Sequence, residues 1–399
     1  MAQNANPPLQ PLPASVLLEQ ELARKNLLCK KGNIRTGCKE LDEYVLLGGL
    51  ERGSVVGVSA EEEEMGMLLG LQTVANTLGR NSMARAMVVT TLPANVLLPK
   101  LRMALVRQLC AAPGDGVRNL QGRVGECLER IAIARVFDID GLWEVLGELE
   151  DTASAADTGG PQPDQGATTA QKPGTRAEGG GVSSQDLDHD AEERLSFPEP
   201  PTADPVSTGA PAPLPDIILI THASSLLNAL FTGRDKQAAH DSMLRLAAHL
   251  HHFTRATRLG GPLVMFLNST TAPAHPDPAA AQDAARPARH PEPTLRSIFS
   301  PAPPRQAAHG YLARRSKPSF GMVFAQMLDL HLLCTRVPRT RAGAAAGDGS
   351  FAWVVEVLLD EMGMYETGAA GERGWRWRRS SREQRWAAVD VEDGRVVDA

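Results

Sequence analysis

The sequence predicts an α/β protein whose core is a mainly parallel sheet with helices on both faces. Three observations lead there. Short apolar runs at Ser54–Val58, Ala86–Thr91, Asp216–Thr221 and Pro262–Asn268 have the length and composition of strands buried on both sides. Amphipathic helical patterns alternate with them, and the connections are long enough for right-handed crossovers. Two further segments have a composition that cannot pack and read as insertions.

Composition sets the bounds. Of 399 residues, 29 are proline and 36 glycine, which favours one folded domain with long insertions over two or three packed domains. The net charge is −6, but residues 151–214 hold 11 acids against 3 basic residues, so the remainder is slightly positive. An acidic total therefore does not argue against a nucleic-acid partner. The five cysteines are widely spaced, with no CxxC pair, and read as thiols of a reducing compartment. No apolar run suits a secretory leader or a membrane span, so the expectation is a nuclear or cytoplasmic protein.

In order, residues 1–33 form a linker with a short helix from Ser15, carrying Leu17, Leu18 and Leu22 on one side. Residues 34–150 form the first part of the core. Its strand Ser54–Val58 is followed by six residues in the place of a phosphate loop and then by a helix over Met65–Leu78. The strand Ala86–Thr91 comes next, with helices at 95–110 and 119–130, a strand at 130–137 and a helix at 140–149. Residues 151–214, with 9 prolines, 8 glycines and one aromatic residue, bury too little to offset about 1–2 kcal/mol of backbone entropy per residue and are expected to be disordered. The second part of the core, 215–270, holds two strands and a helix at 237–258. A second low-complexity, proline-rich loop is placed at 271–315; through Lys317 it carries seven cations against three acids. The third part, 316–399, ends in a tail, GERGWRWRRSSREQRW, that interleaves arginine with tryptophan. Such a composition grips phosphates and stacks on bases, and it equally fits an edge strand of period two.

A working phosphate loop reads GxxxxGK[ST]: backbone N–H groups close on the phosphates, the lysine reaches the terminal ones and the hydroxyl holds magnesium. Here Ala60, Met65, Gly66 and Met67 stand at the four defining positions, and Glu61, Glu62, Glu63 and Glu64 lie between. Each carboxylate would repel a phosphate charge at 4 Å by roughly 1 kcal/mol in bulk water, and by more away from solvent. The run reads either as a solvated helix start, which acids favour, or as carboxylates imitating bound phosphates. Both readings exclude ordinary ATP use.

The stretch TGCKELDEYVLLGGLERGSV resembles the lead-in TGxxxLDxLLGGGIxxGxI of the RecA-type recombinases, specifically the eukaryotic DNA recombinase and its paralogues. IARVFDIDGLWEVL, KPSFGMVFAQMLDLHLLCTRVPR and a closing segment at Phe351–Leu359 are similar to later words of that family. The resemblance implies a RecA-like core of the P-loop NTPase type, with the family's helical amino-terminal domain absent or reduced. It also implies a catalytic acid near Thr90, Thr91 and Leu92 and a magnesium-contacting aspartate at Thr221, and neither carboxylate is present. Asn268 matches a family asparagine, while Ser269 replaces the glutamine that senses the γ-phosphate.

The resemblance further implies DNA-facing loops. Thr232, Gly233 and Arg234 fall in the first, and Arg314, Arg315 and Lys317 at the second; their cations either contact DNA or only solubilise a linker. His249, His251 and His252 lack a matching acid or cysteine at ligand spacing and read as a solvated or partner-facing helix surface, not a metal site. His222 with Ser224 and Ser225 lacks the elbow of a hydrolase.

The expectation is therefore a nuclear, non-catalytic recombinase-paralogue subunit assisting homologous recombination and double-strand-break repair. Its partners would be recombinase paralogues or the recombinase filament, with single-stranded DNA as a further ligand. No cofactor is expected, ATP and magnesium entering only across a partner's interface. The alternatives are a structural RecA-like subunit of another assembly, like the Elongator accessory subunits, and an ATPase with a rewired loop.

Overall fold

A computed structural model describes residues 12–111, 120–158, 214–233, 235–256, 260–271, 297–299, 317–339, 351–362 and 385–399. The strands are β1 (Val55–Ala60), β2 (Ala86–Thr90), β3 (Ile131–Arg135), β4 (Ile217–Ile220), β5 (Leu263–Thr271), β6 (Lys317–Pro318), β7 (Leu330–Pro338), β8 (Phe351–Asp360), β9 (Trp386–Glu392) and β10 (Arg395–Asp398). The helices are α1 (Ala14–Lys31), α2 (Glu63–Arg80), α3 (Ala94–Ala111), α4 (Leu120–Glu129), α5 (Ile139–Thr158), α6 (Ala223–Gly233), α7 (Lys236–Arg255) and α8 (Gly321–Ala325).

The sheet runs β10-β9-β8-β7-β1-β5-β4-β2-β3, with β6 paired to the end of β5. From β3 to β7 every pairing on this path is parallel; β7 to β10 add an antiparallel extension. This is the α/β class that the apolar runs predict. Alternation along each strand divides its side chains between two cores. Val56, Val58, Ala86, Val88, Ile217, Leu219, Leu263 and Met265 face the core shared with α2, α3 and α4. Val55, Val89, Ile218, Ile220, Val264 and Phe266 face the one shared with α5, α6, α7 and α8. Helices therefore cover both faces. No described helix is long and apolar enough to cross a membrane.

The lead-in before β1 is a closed loop. The buried Asp42 carboxylate accepts hydrogen bonds from Thr36 N (2.8 Å), Thr36 Oγ1 (3.0 Å) and Gly37 N (3.2 Å). Burial raises its pKa, and the bonds from Thr36 and Gly37 act in the opposite direction. A five-residue π-helical turn, Leu41–Val45, then leads to Gly49, whose φ of 112° and position 2.7 Å from Ile34 O (measured from an added Cβ) exclude other residues. The turn is stitched to the end of the chain: Glu40 N donates to Asp398 Oδ1 (2.8 Å), and buried Arg385 donates to Val45 O (2.9 Å) while ion-paired to buried Asp360.

One expectation changes, and two elements appear that were not expected. The insertion expected from residue 151 begins later, because α5 continues to Thr158 with Ala153 buried in the core. Helix α6 forms ahead of the expected helix, mostly over residues for which no element was expected; Leu226, Leu227 and Leu230 bury one of its faces. The hairpin β9-β10 follows from Asp393-Gly394, both at positive φ (47° and 66°), between alternating valines. Residues 159–213, most of 271–315, and the arginine–tryptophan stretch 371–384 lie outside the described residues.

Candidate functional site

The site is the junction of β1 with α2, at the carboxyl ends of the parallel strands, where open α/β sheets bind ligands. Six residues were expected between strand and helix. The strand instead runs through Ala60 and the helix starts at Glu63, so the loop is only Glu61 and Glu62. Two of the N–H groups in the place of a phosphate loop are used internally: Glu61 N donates to Cys334 O (2.9 Å) and Met65 N to Glu62 O (3.0 Å). Met65, Gly66 and Met67 are buried turns of the helix. A Cβ added at Gly66, where a lysine would stand, lies 3.3 Å from the Ala60 Cβ.

The glutamates have neighbours of opposite charge. Arg336 donates its backbone N–H to Glu61 Oε2 (2.9 Å) and its Nη1 to Glu62 Oε1 (2.7 Å), and Lys100 Nζ lies 2.7 Å from Glu64. Glu63 and Glu64 occupy the first turn of α2, where carboxylates are worth about 0.3–1 kcal/mol each against the helix dipole. Between Glu63, Gly66, Met67, His222, Leu267 and Asn268 there remains a cavity of about 10 Å³. That is the space of about one water probe, far below a polyphosphate.

At the neighbouring strand ends the expected acids are replaced by hydroxyls bonded to each other. Thr221 Oγ1 donates to Thr90 Oγ1 (2.7 Å), Leu92 N donates to the same Thr90 oxygen (3.1 Å), and His222 Nδ1 lies 2.9 Å from Thr221 Oγ1. His222 adopts φ 57°, and burial lowers its pKa against the opposing pull of Glu63 and Glu64. Thr90 and Thr221 are fully buried and present no carboxylate to a metal or a water. The phosphates and magnesium that the resemblance implies do not fit these residues.

Sequence reasoning missed the cluster behind the junction. Ser59 Oγ lies 2.8 Å from His331 Nε2, and Asn268 Nδ2 donates to Ser59 Oγ (3.2 Å) and to Ser319 O (3.1 Å). Ser59 and His331 are fully buried, and Phe324 meets the imidazole edge-on at 5.4 Å. Burial lowers the His331 pKa to about 3. A neutral imidazole sealed from solvent is a packing group with one satisfied nitrogen, not a general base. No sequence signal joins residues 272 positions apart.

The residues matched to DNA-facing loops are partly brought together. Thr232 and Gly233 end α6, with Thr232 Oγ1 donating back to Asn228 O (2.7 Å), and Lys317 is exposed in β6. Phe231 stacks on Phe320 at 5.5 Å, which sets the end of α6 against the turn that follows Lys317. Arg234, Arg314 and Arg315 lie outside the described residues. Of the histidines read as a solvated or partner-facing helix surface, His252 is exposed, but His249 packs on Trp143 at 4.5 Å and His251 Nδ1 lies 3.7 Å from Asp329. Among the described residues no group of three or more His, Cys, Asp or Glu is placed to hold a metal.

Fold and site together define an open α/β protein in which the strand and helix of a phosphate-loop motif are in place and the loop between them is closed by packing. No protein-family model matches the sequence, and no curated protein does. Among solved structures the chain is similar to the RadB recombinase, at 12% identity and a TM-score of 0.42, over 92% of this chain and 99% of that one.

Proposed function

We propose that this chain is a RecA-like, non-catalytic subunit of the recombinase-paralogue kind, serving homologous recombination and double-strand-break repair in the nucleus through partner subunits and single-stranded DNA. The observation that carries the non-catalytic half is the closed junction: a two-residue loop, two of its N–H groups bonded internally, and a cavity of about 10 Å³ beside it. The recombination half is supported by the sequence words TGCKELDEYVLLGGLERGSV and KPSFGMVFAQ. ATP, in this reading, is held by a partner's intact loop at a shared interface.

The test is thermal unfolding of the full chain with and without millimolar ATP and magnesium. No shift is expected. A ligand at 100 times its Kd adds about 2.7 kcal/mol, and a rise of that size would end the non-catalytic reading. Single-stranded DNA binding, alone or with recombinase partners, should weaken steeply with salt, as phosphate contacts require; no binding in either setting would favour a structural role elsewhere.

A further inference from the structure

Between Thr271, where β5 ends, and Lys317, where β6 begins, the described residues are 297–299. They form a turn seated on the antiparallel extension. Ile298 N donates to Glu356 Oε2 (2.9 Å), and Phe299 meets the Trp386 ring edge-on at 4.9 Å. The turn is shaped by its own serine: Ser297 Oγ accepts from Phe299 N (3.0 Å), a hydroxyl standing in for the backbone carbonyl of a turn. Ser297 is buried, while Ile298 is 40% exposed.

The seat belongs to the sheet. Glu356 in β8 and Trp386 in β9 are cross-strand partners, so their side chains leave the same face side by side. The residue before Trp386, buried Arg385, donates to Val45 O and is ion-paired to Asp360, which fixes the start of β9. Glu356 is 1% exposed, and a carboxyl group so placed is stabilised by each N–H it receives. The turn is held more lightly than its seat, by one hydrogen bond to that carboxyl group and one ring contact with a half-exposed tryptophan. Pinning a long span at an inner point also costs chain entropy. A contact of this size opens locally, at a free energy well below that of unfolding the sheet.

We propose that residues 297–299 are a releasable strap, which ties the second insertion to the β8–β9 face and lifts from Glu356 and Trp386 while the core stays folded. The span between β5 and β6 then has a tied and a free state that differ by one turn. This holds whether or not the chain is a recombinase-paralogue subunit.

The experiment is amide hydrogen exchange of the full chain, read at Ile298, with a free peptide of residues 292–304 as the unprotected reference and the Met265 amide of β5 as the core reference. Ile298 should exchange at least about ten-fold more slowly than in the peptide and at least about a hundred-fold faster than Met265. Phe299→Ala and Trp386→Ala each remove one side of the ring contact. Each should bring Ile298 to within about two-fold of the peptide rate and leave both Met265 and Tm unchanged. Exchange at the peptide rate in the wild type would show that the turn is not seated. Exchange as slow as that of Met265 would make it a fixed part of the core, and protection that survives both variants would mean that the ring contact does not hold it. Each of these three results overturns the proposal.

Discussion

The sealed imidazole of His331 makes the protein acid-sensitive by a calculable amount. Its pKa is held at about 3 by burial, against an ordinary value of 6.5. The folded state keeps it neutral, while the unfolded chain takes up a proton below about 6.5. Its contribution to stability is therefore complete above that pH and is lost progressively as pH falls toward 3. Between pH 7 and pH 5 the linkage relation gives a loss of about 2 kcal/mol from this one group. His331→Gln keeps a partner for Ser59 and cannot titrate there. Urea unfolding of both proteins at pH 7 and pH 5 isolates the term, since the half-buried histidines His222 and His249 shift alike in each. The wild type should lose about 2 kcal/mol more than the variant over this interval. Equal losses, within about 0.5 kcal/mol, would mean that water or a protein group reaches the ring and that the sealed-core argument is wrong.

Three further outcomes concern one buried ion pair and two glycines. Arg385→Met removes the ion pair of the Asp360 side chain, 1% exposed, leaving it the Met362 N–H, and should cost about 3–5 kcal/mol in urea unfolding. Gly49→Ala should cost about 1–3 kcal/mol, because its Cβ meets Ile34 O at 2.7 Å in a positive-φ conformation; Gly147→Ala in α5, where nothing lies within 4 Å, should be neutral or stabilising by up to about 1 kcal/mol in the same melts.

The sequence made the central sheet legible because strands buried on both faces must be short apolar runs; β1, β2, β4 and β5 fall within three residues of the runs that predict them. The lack of a lysine at Gly66 and of a carboxylate at Thr221 is likewise read directly from the sequence. What replaced that chemistry was hidden. The early start of α2 depends on Met65 and Met67 finding a core on which to pack, and the hydroxyl pair Thr90–Thr221 joins residues 131 positions apart. Helix α6 was obscured because its leucines follow directly on a strand, and α5 because its last two turns share the composition of the segment beyond. The hairpin β9-β10 carried an Asp-Gly signal in plain view.

A phosphate loop is a strained, solvated device: glycines hold unpaired N–H groups toward an anion, and the rest of the fold bears that cost. At the β1–α2 junction packing stands where such a loop would lie. Met65 and Met67 are 3% and 6% exposed, and burying a methionine is worth about 1.5–3 kcal/mol. Restoring two letters of the motif should therefore not restore the function. Gly66→Lys with Met67→Thr removes one of these buried side chains, forces a Cβ within 3.3 Å of Ala60, and leaves Glu61 N tied to Cys334 O. The expected result is a lower Tm by the equivalent of about 2–4 kcal/mol and still no stabilisation by ATP and magnesium. If the double variant melted no lower and gained an ATP-dependent rise in Tm, the junction would be a dormant nucleotide site lacking only its lysine and hydroxyl. Packing would then not be what closes it.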